Sequence, residues 1–183
     1  MRIAHEIVES SADGQELYLV AIPNGGVPLG RALAANLAAL SGLEVPMGIL
    51  DTTLYRDDLG TRGTRPRLRR TEMPSSVDER VVILVEDVVN TGRTIRAAMD
   101  ALMDFGRPRT VRVVALVDRG RRELPIKIDY AGKNIPTQSG ETVVLRIGEE
   151  ASEAGASEES LEVVVRTKKR ASEAMAEQKR GDA

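Results

Sequence analysis

The chain has 183 residues, no cysteine and a formal net charge of −2. That length fits one domain with at most an appendage, and the missing cysteines exclude disulfides, zinc–thiolate sites and thiol catalysis together. The charge balance gives no global attraction to nucleic acid, and at 2% aromatic residues the chain lacks the exposed rings that stack single-stranded bases.

In chain order, Ile3, Ile7 and Val8 fall at helical spacing and predict an opening helix over residues 1–10. Residues 17–22 (LYLVAI) read as a strand that ends in the loop Pro23-Asn24-Gly25-Gly26. Residues 27–40, rich in Ala and Leu, predict a helix stopped near Ser41-Gly42, and 45–50 a second strand. Periodicity then fails from Asp51 to Arg80, where six arginines lie between Arg56 and Arg70. Connections of that length are usually functional or mobile. Residues 81–85 (VVILV) form a β-branched run, hence a buried strand, which leads through Glu86-Asp87 to Thr91-Gly92-Arg93-Thr94. Ile95, Met99, Leu102 and Met103 place a helix over 95–105, closed by Gly106. Residues 111–117 predict another buried strand, 118–137 a polar excursion and 142–147 a further strand.

Strands alternating with helices predict an α/β fold with a doubly wound parallel sheet. From Gly148 the composition turns to Glu, Ala and Ser; the lone apolar run 161–165 is a candidate edge strand beside 142–147, and 168–183 reads as a solvated tail. The expected division is therefore a domain over 1–148 and an acidic, polar extension over 149–183. No apolar run approaches the ~20 residues that span a bilayer, so the expectation is a cytoplasmic protein without membrane contact.

An apolar strand, two carboxylates and Thr-Gly-Arg-Thr at a helix start together describe a ribose-phosphate site. In open α/β sheets ligands bind beyond the carboxyl ends of the strands. A helix N-terminus offers unpaired N–H groups and a positive dipole end to phosphate. Gly92 allows close backbone approach, Thr91 and Thr94 add hydroxyls, Arg93 adds charge, and Glu86 and Asp87 can accept hydrogen bonds from ribose hydroxyls.

Residues 82–94 resemble, at every position, the 5-phosphoribosyl-1-diphosphate (PRPP) signature of type I phosphoribosyltransferases. Further blocks, 2–6 (RIAHE), 50–59 (LDTTLYRDDL), Gly106-Arg107-Pro108, 117–126 (VDRGRRELPI) and 129–137 (DYAGKNIPT), are similar to the PyrR family, bifunctional pyrimidine-operon regulators and uracil phosphoribosyltransferases. The resemblance implies the type I fold with its hood, a homodimer or higher oligomer, and reaction of uracil with PRPP to give UMP and pyrophosphate, with Mg²⁺ as cofactor. It implies ribose contacts and catalysis at Glu86 and Asp87, and 5′-phosphate binding at Asn90, Thr91, Gly92, Arg93 and Thr94. Pyrophosphate would meet Asn24, Gly25 and Gly26, with Arg56 and Asp57 closing from the arginine-rich loop. Arg119 and the backbone near Ala131 are expected at the base. A basic face of Arg2, His5, Arg122, Lys127 and Lys133 would contact pyrimidine-operon mRNA.

The chain departs from the family pattern at several points. Asn24-Gly25-Gly26 stands where the family usually carries Thr-Arg-Gly, so a fixed charge on pyrophosphate is missing, worth roughly tenfold to a hundredfold in rate. Restoring it by Gly25→Arg is expected to raise activity unless that backbone needs a positive φ. Asn90 replaces an aromatic residue and Arg121 a histidine. The family also has about a strand and half a helix ahead of Arg2, so the expectation is a truncated chain or a misassigned start. Two other readings stay open: an RNA-binding UMP or PRPP sensor with little turnover, favoured by Gly25, and a phosphoribosyltransferase for another base.

Overall fold

Five parallel strands, Leu17–Ala21 (β1), Met47–Ile49 (β2), Val81–Val89 (β3), Thr110–Asp118 (β4) and Tyr130–Asn134 (β5), form one sheet in the order β2-β1-β3-β4-β5. Helices Arg2–Ser10 (α1), Gly26–Ser41 (α2) and Arg93–Leu102 (α3) cover it. The computed structural model describes residues 1–11, 16–23, 25–42, 44–57, 68–137, 141–151 and 157–167. Asn24, the centre of the arginine-rich loop and the tail 168–183 lie outside the described residues.

Strand alternation sorts the core onto two faces. Val82 and Leu84 of β3 pack with Ile95, Ala98, Ala101 and Leu102 of α3. Ile83 and Val85 face the other way, against Ala4 and Ile7 of α1 and Leu29, Leu33 and Leu37 of α2. A strand covered on both faces has no polar side, which is why residues 81–85 read as an unbroken apolar run. All five are essentially inaccessible to solvent, and each such side chain contributes about 1.5–3 kcal/mol on burial. The apolar stripe of α1 docks beside the edge strand β5. There Arg2 donates to the carbonyls of Ala131 (2.7 Å) and Gly132 (2.5 Å).

Three expectations change. β3 does not end at Val85 but continues through Val89, so Glu86 and Asp87 are strand residues rather than loop residues. The excursion 118–137 contains a strand, β5, with Ala131 beside Ala115 and Lys133 beside Val117 of β4. Its sequence, YAGKN, buries only Tyr130, so pairing with β4 rather than periodicity creates it. The strand expected at 142–147 is Glu141–Ala151 (β6), which is not part of the parallel sheet. It pairs antiparallel with Ser157–Thr167 (β7), Val143 opposite Val165 and Ile147 opposite Leu161.

The chain divides into two compact units, Met1–Pro136 and Thr137–Ala183, with the parallel sheet in the first and the β6–β7 hairpin in the second. Among the described residues, no helix is long and apolar enough to cross a membrane.

Tyr18 of β1 is wholly buried, and its hydroxyl has no hydrogen-bond partner among the described residues. An unsatisfied buried hydroxyl costs about 1–3 kcal/mol. Tyr18→Phe removes that cost at nearly constant shape and is expected to leave the melting temperature unchanged or raise it. A fall of several degrees in a thermal melt would mean that the hydroxyl is satisfied after all, by a trapped water.

Candidate functional site

At the carboxyl end of β3 the chain turns through Asn90, Thr91 and Gly92 into α3. Gly92 holds φ 90°, ψ −4°, a region that favours glycine. A Cβ there would also meet Ile126 Cγ1 at 3.0 Å. The turn opens a cleft of about 330 Å³ lined by Glu86, Arg56, Glu123 and the whole segment Asn90, Thr91, Gly92, Arg93 and Thr94. The N-terminus of α3 lines this cleft and brings its dipole to it, a setting that favours an anion.

The stem of the arginine-rich loop docks on the same turn. Arg56 Nη1 donates to Thr94 Oγ1 at 2.7 Å. Asp57 pairs with Arg93 at 2.6 Å and with Arg96 at 3.8 Å, and Glu123 accepts from Arg93 Nε at 2.8 Å. These pairs are partly exposed, so each is worth at most about 1 kcal/mol. Together they fix where Arg93 points.

The two acids separate because β3 alternates. Glu86 shares the face of Val82 and Leu84 and opens into the cleft; Asp87 shares the face of Ile83 and Val85 and lies against the start of α2. Glu86 is half-buried overall, yet its Oε2 has neither solvent nor a hydrogen-bond partner among the described residues. Burial, followed by the charge on Asp87, pushes its carboxyl up to about 8, against the opposing pull of Arg56. At neutral pH Glu86 is thus largely protonated and can donate a hydrogen bond.

This shift ties stability to pH. The folded state keeps the Glu86 proton that the unfolded chain releases near 4.5, so the stabilisation is complete below that pH and is lost as pH rises through about 8. The melting temperature is expected to fall across this window, and Glu86→Gln to flatten the fall. Parallel melting curves for the two proteins between pH 5 and 8 would contradict a retained proton on Glu86.

Asp87 depends on a missing side chain. A Cβ on Gly25 would lie 2.2 Å from Asp87 Oδ2 and 2.6 Å from Asp87 Cβ; on Gly26 it would lie 2.5 Å from the Val85 carbonyl oxygen. The Gly25-Gly26 pair therefore lets the start of α2 close onto β3. Gly25 itself has an ordinary φ of −73°, so backbone strain does not exclude a side chain there. Contact with Asp87 does, and the expected gain from Gly25→Arg is withdrawn on that ground.

The remaining candidates scatter. Arg119 reaches the site through its main chain, whose N–H donates to the Val89 carbonyl at 2.9 Å. Ala131 is paired into β5, and its carbonyl is taken by Arg2. Arg2 also pairs with Glu6, while His5 is exposed on α1. Lys127 lies 3.6 Å from Asp129, and Lys133 is exposed near the end of β5. Arg122 is not an open surface charge: it is half-buried and contacts Asp118, Asn90 and Ile126. Asn24 lies outside the described residues. Sequence reading missed Glu123, whose place at the cleft follows from the folding of the excursion and has no signal in spacing.

The family model for the phosphoribosyl transferase domain matches residues 1–148. The "Bifunctional protein PyrR" of Pelotomaculum thermopropionicum is 53% identical over 148 residues, covering 81% of this chain and 82% of that protein. The chain belongs to the PyrR family of phosphoribosyltransferases. Its relative of the same name in Deinococcus radiodurans is 50% identical, with 81% of each chain covered. Among solved structures, a hypoxanthine phosphoribosyltransferase of Trypanosoma cruzi matches with a TM-score of 0.60 at 23% identity, over 78% of this chain and 76% of that one. The Staphylococcus aureus hypoxanthine enzyme gives 0.56 at 21% identity, over 78% and 73%. These two likenesses show the fold, and the PyrR-family sheet of this chain is the type I phosphoribosyltransferase sheet.

Proposed function

We propose that the chain transfers the phosphoribosyl group of PRPP to uracil, giving UMP and pyrophosphate, and regulates pyrimidine-operon expression by binding mRNA. The observation that carries the transferase half is the cleft at the end of β3, where a helix N-terminus adjoins Glu86 Oε2, which has no hydrogen-bond partner among the described residues. The name of relatives about half identical to this chain supports the bifunctional reading. On this reading 1–148 carries the transferase and 149–183 is an extension, in a cytoplasmic homodimer or higher oligomer.

In the reaction, uracil N1 bonds to the ribose C1′ as the bond to pyrophosphate breaks, and the N1 proton passes to water. The transition state carries oxocarbenium charge, so placed charges matter more than a nucleophile. Asn90 to Thr94 take the 5′-phosphate. Glu86 holds a ribose hydroxyl from the cleft side, and Asp87 stabilises positive charge on the ring. The Asn24-Gly25-Gly26 loop takes pyrophosphate through main-chain amides, and Arg56 and Asp57 bring the arginine-rich loop over the site to exclude water. On this reading Arg119, whose main-chain N–H meets the Val89 carbonyl, is assigned to the base. Glu86 Oε2 and Asn90 Oδ1 have no hydrogen-bond partner among the described residues; once Glu86 gives up its proton, these hard oxygens would suit Mg²⁺ and would help hold it with PRPP oxygens and water. When bound, the ion neutralises charge on the leaving pyrophosphate.

The edge around β5 supports the RNA half, since α1 brings Arg2 beside the strand that carries Lys133. Turnover of labelled uracil, orotate, hypoxanthine and guanine with PRPP and Mg²⁺ tests the enzyme; product from uracil alone is expected, and product from a purine alone would overturn the base assignment. A pyrimidine-operon leader transcript should shift in a gel titration and bind more weakly as salt rises. No shift at low salt would leave only the enzyme.

A further inference from the structure

Three successive carbonyls at the end of β3 are held from one side by the excursion after β4. The Val89 carbonyl accepts from the Arg119 N–H at 2.9 Å, and the Thr91 carbonyl from the N–H groups of Glu123 (3.0 Å) and Leu124 (3.3 Å). Between them, the Asn90 carbonyl accepts from Arg122 Nη1 at 2.7 Å. The outer two holds are made by main chain, and the middle one is made by a side chain.

We propose that Arg122 is a positioning residue for the phosphate-binding turn, aiming the Thr91 amide by holding the Asn90 carbonyl away from the ligand. A trans peptide unit is planar, with C=O and the next N–H pointing in opposite directions. Fixing the Asn90 carbonyl toward the excursion therefore sends the Thr91 N–H to the opposite side. Releasing it lets the peptide rotate and bring a partial negative charge toward the phosphate.

Arg122 is itself fixed. Its Nη2 pairs with Asp118 Oδ1 at 2.8 Å, and its Nε donates to the Ile126 carbonyl at 3.1 Å. The Arg122 and Asp118 side chains are only 19% and 18% exposed, so this ion pair is less screened than one at the open surface. Its planar fork serves three acceptors at once, which a lysine ammonium on a single flexible stem cannot reproduce. Ile126, the residue whose carbonyl it holds, also stands over Gly92. Arg122 thus ties the end of β4, the excursion and the turn into one piece, a role inside the transferase site and separate from RNA contact.

The inference rests on the proposal that Asn90 to Thr94 take a phosphate. Its test is UMP affinity by calorimetry and PRPP kinetics for Arg122→Gln, Arg122→Lys, Asp118→Asn and the double variant Arg122→Gln/Asp118→Asn, with Thr94→Ala as a probe of the turn. Losing one charge-assisted hydrogen bond should raise the UMP Kd and the PRPP KM by about tenfold to a hundredfold, with a smaller change in kcat and unchanged uracil KM. Lysine should not rescue. Asp118→Asn should give part of the same loss, and the double variant no more than Arg122→Gln alone, because Asp118 acts through Arg122. A lowered melting temperature with unchanged Kd and KM would make Arg122 structural only and overturn the proposal. If Thr94→Ala weakens UMP and Arg122→Gln does not, the brace alone falls. If neither matters, the phosphate reading of the turn falls with it.

Discussion

Gly25→Arg is expected to lose at least a hundredfold in kcat/KM, not to gain the charge-assisted contact that the loop lacks. The gain would come from one guanidinium on pyrophosphate, worth roughly 1.5–3 kcal/mol. The cost arises one atom into the side chain. Any Cβ at Gly25 would stand 2.2 Å from Asp87 Oδ2, 2.5 Å from its Cγ and 2.6 Å from its Cβ. Rotating the carboxylate away removes the first two conflicts and leaves the third, because the position of Asp87 Cβ is set by the β3 backbone. The start of α2 must therefore move off the sheet. Misplacing a reacting group by about 1 Å can cost a hundredfold by itself. Gly25→Ala separates sterics from charge, since it adds the Cβ alone and should lose a similar factor. A folded Gly25→Arg protein with a lower PRPP KM than wild type would show that α2 can yield and that charge does limit the site.

Asp87→Asn should lower kcat and kcat/KM together by about a hundredfold to a thousandfold, or ~2.7–4 kcal/mol at the barrier. The two side chains have nearly the same shape, so the contact with Gly25 survives and the melting temperature should stay within a few degrees. Under the proposed mechanism, only the charge that opposes the developing oxocarbenium is lost. A second signature follows from its neighbour, because the Asp87 charge is one cause of the raised Glu86 carboxyl. Without it Glu86 ionises more easily in the folded state, so the pH-dependent fall in melting temperature should end at a lower pH than in wild type. Wild-type turnover in a folded Asp87→Asn protein would remove Asp87 from the mechanism. An unmoved pH profile would mean that the two carboxyls do not sense each other.

Much of the fold was legible because its signals are local. The run 81–85 is apolar on both faces, as a central parallel strand must be, and Ile95, Met99 and Leu102 mark the inner face of the next helix within a few turns. The segment from Glu86 to Thr94 likewise needs only strand, turn and helix start to be drawn from the sequence, and Gly92 adopts the positive φ that this turn requires. β5 was not legible. YAGKN has no apolar alternation, and the strand exists because β4 offers an unpaired edge to it. The hairpin β6–β7 shows the converse: Thr142–Ile147 carries a strand signal, but no local pattern says which sheet receives it.

From sequence alone came the order of the helices and of strands β1 to β4, the turn after β3 and the acid pair beside it, because each is written within about a dozen consecutive residues. The tertiary structure decided the rest of the site. It extended β3 far enough to send Glu86 into the cleft and Asp87 to the opposite face. It set Gly25 against Asp87 and Arg2 against the Ala131 carbonyl. It also turned Arg122 and Glu123 from exposed-looking charges in a polar excursion into supports for the turn. Each of these is a contact between residues far apart in the chain, set by how strands stack in register and where an excursion folds back. Periodicity and composition report which face a residue prefers, and they carry no distance between two faces.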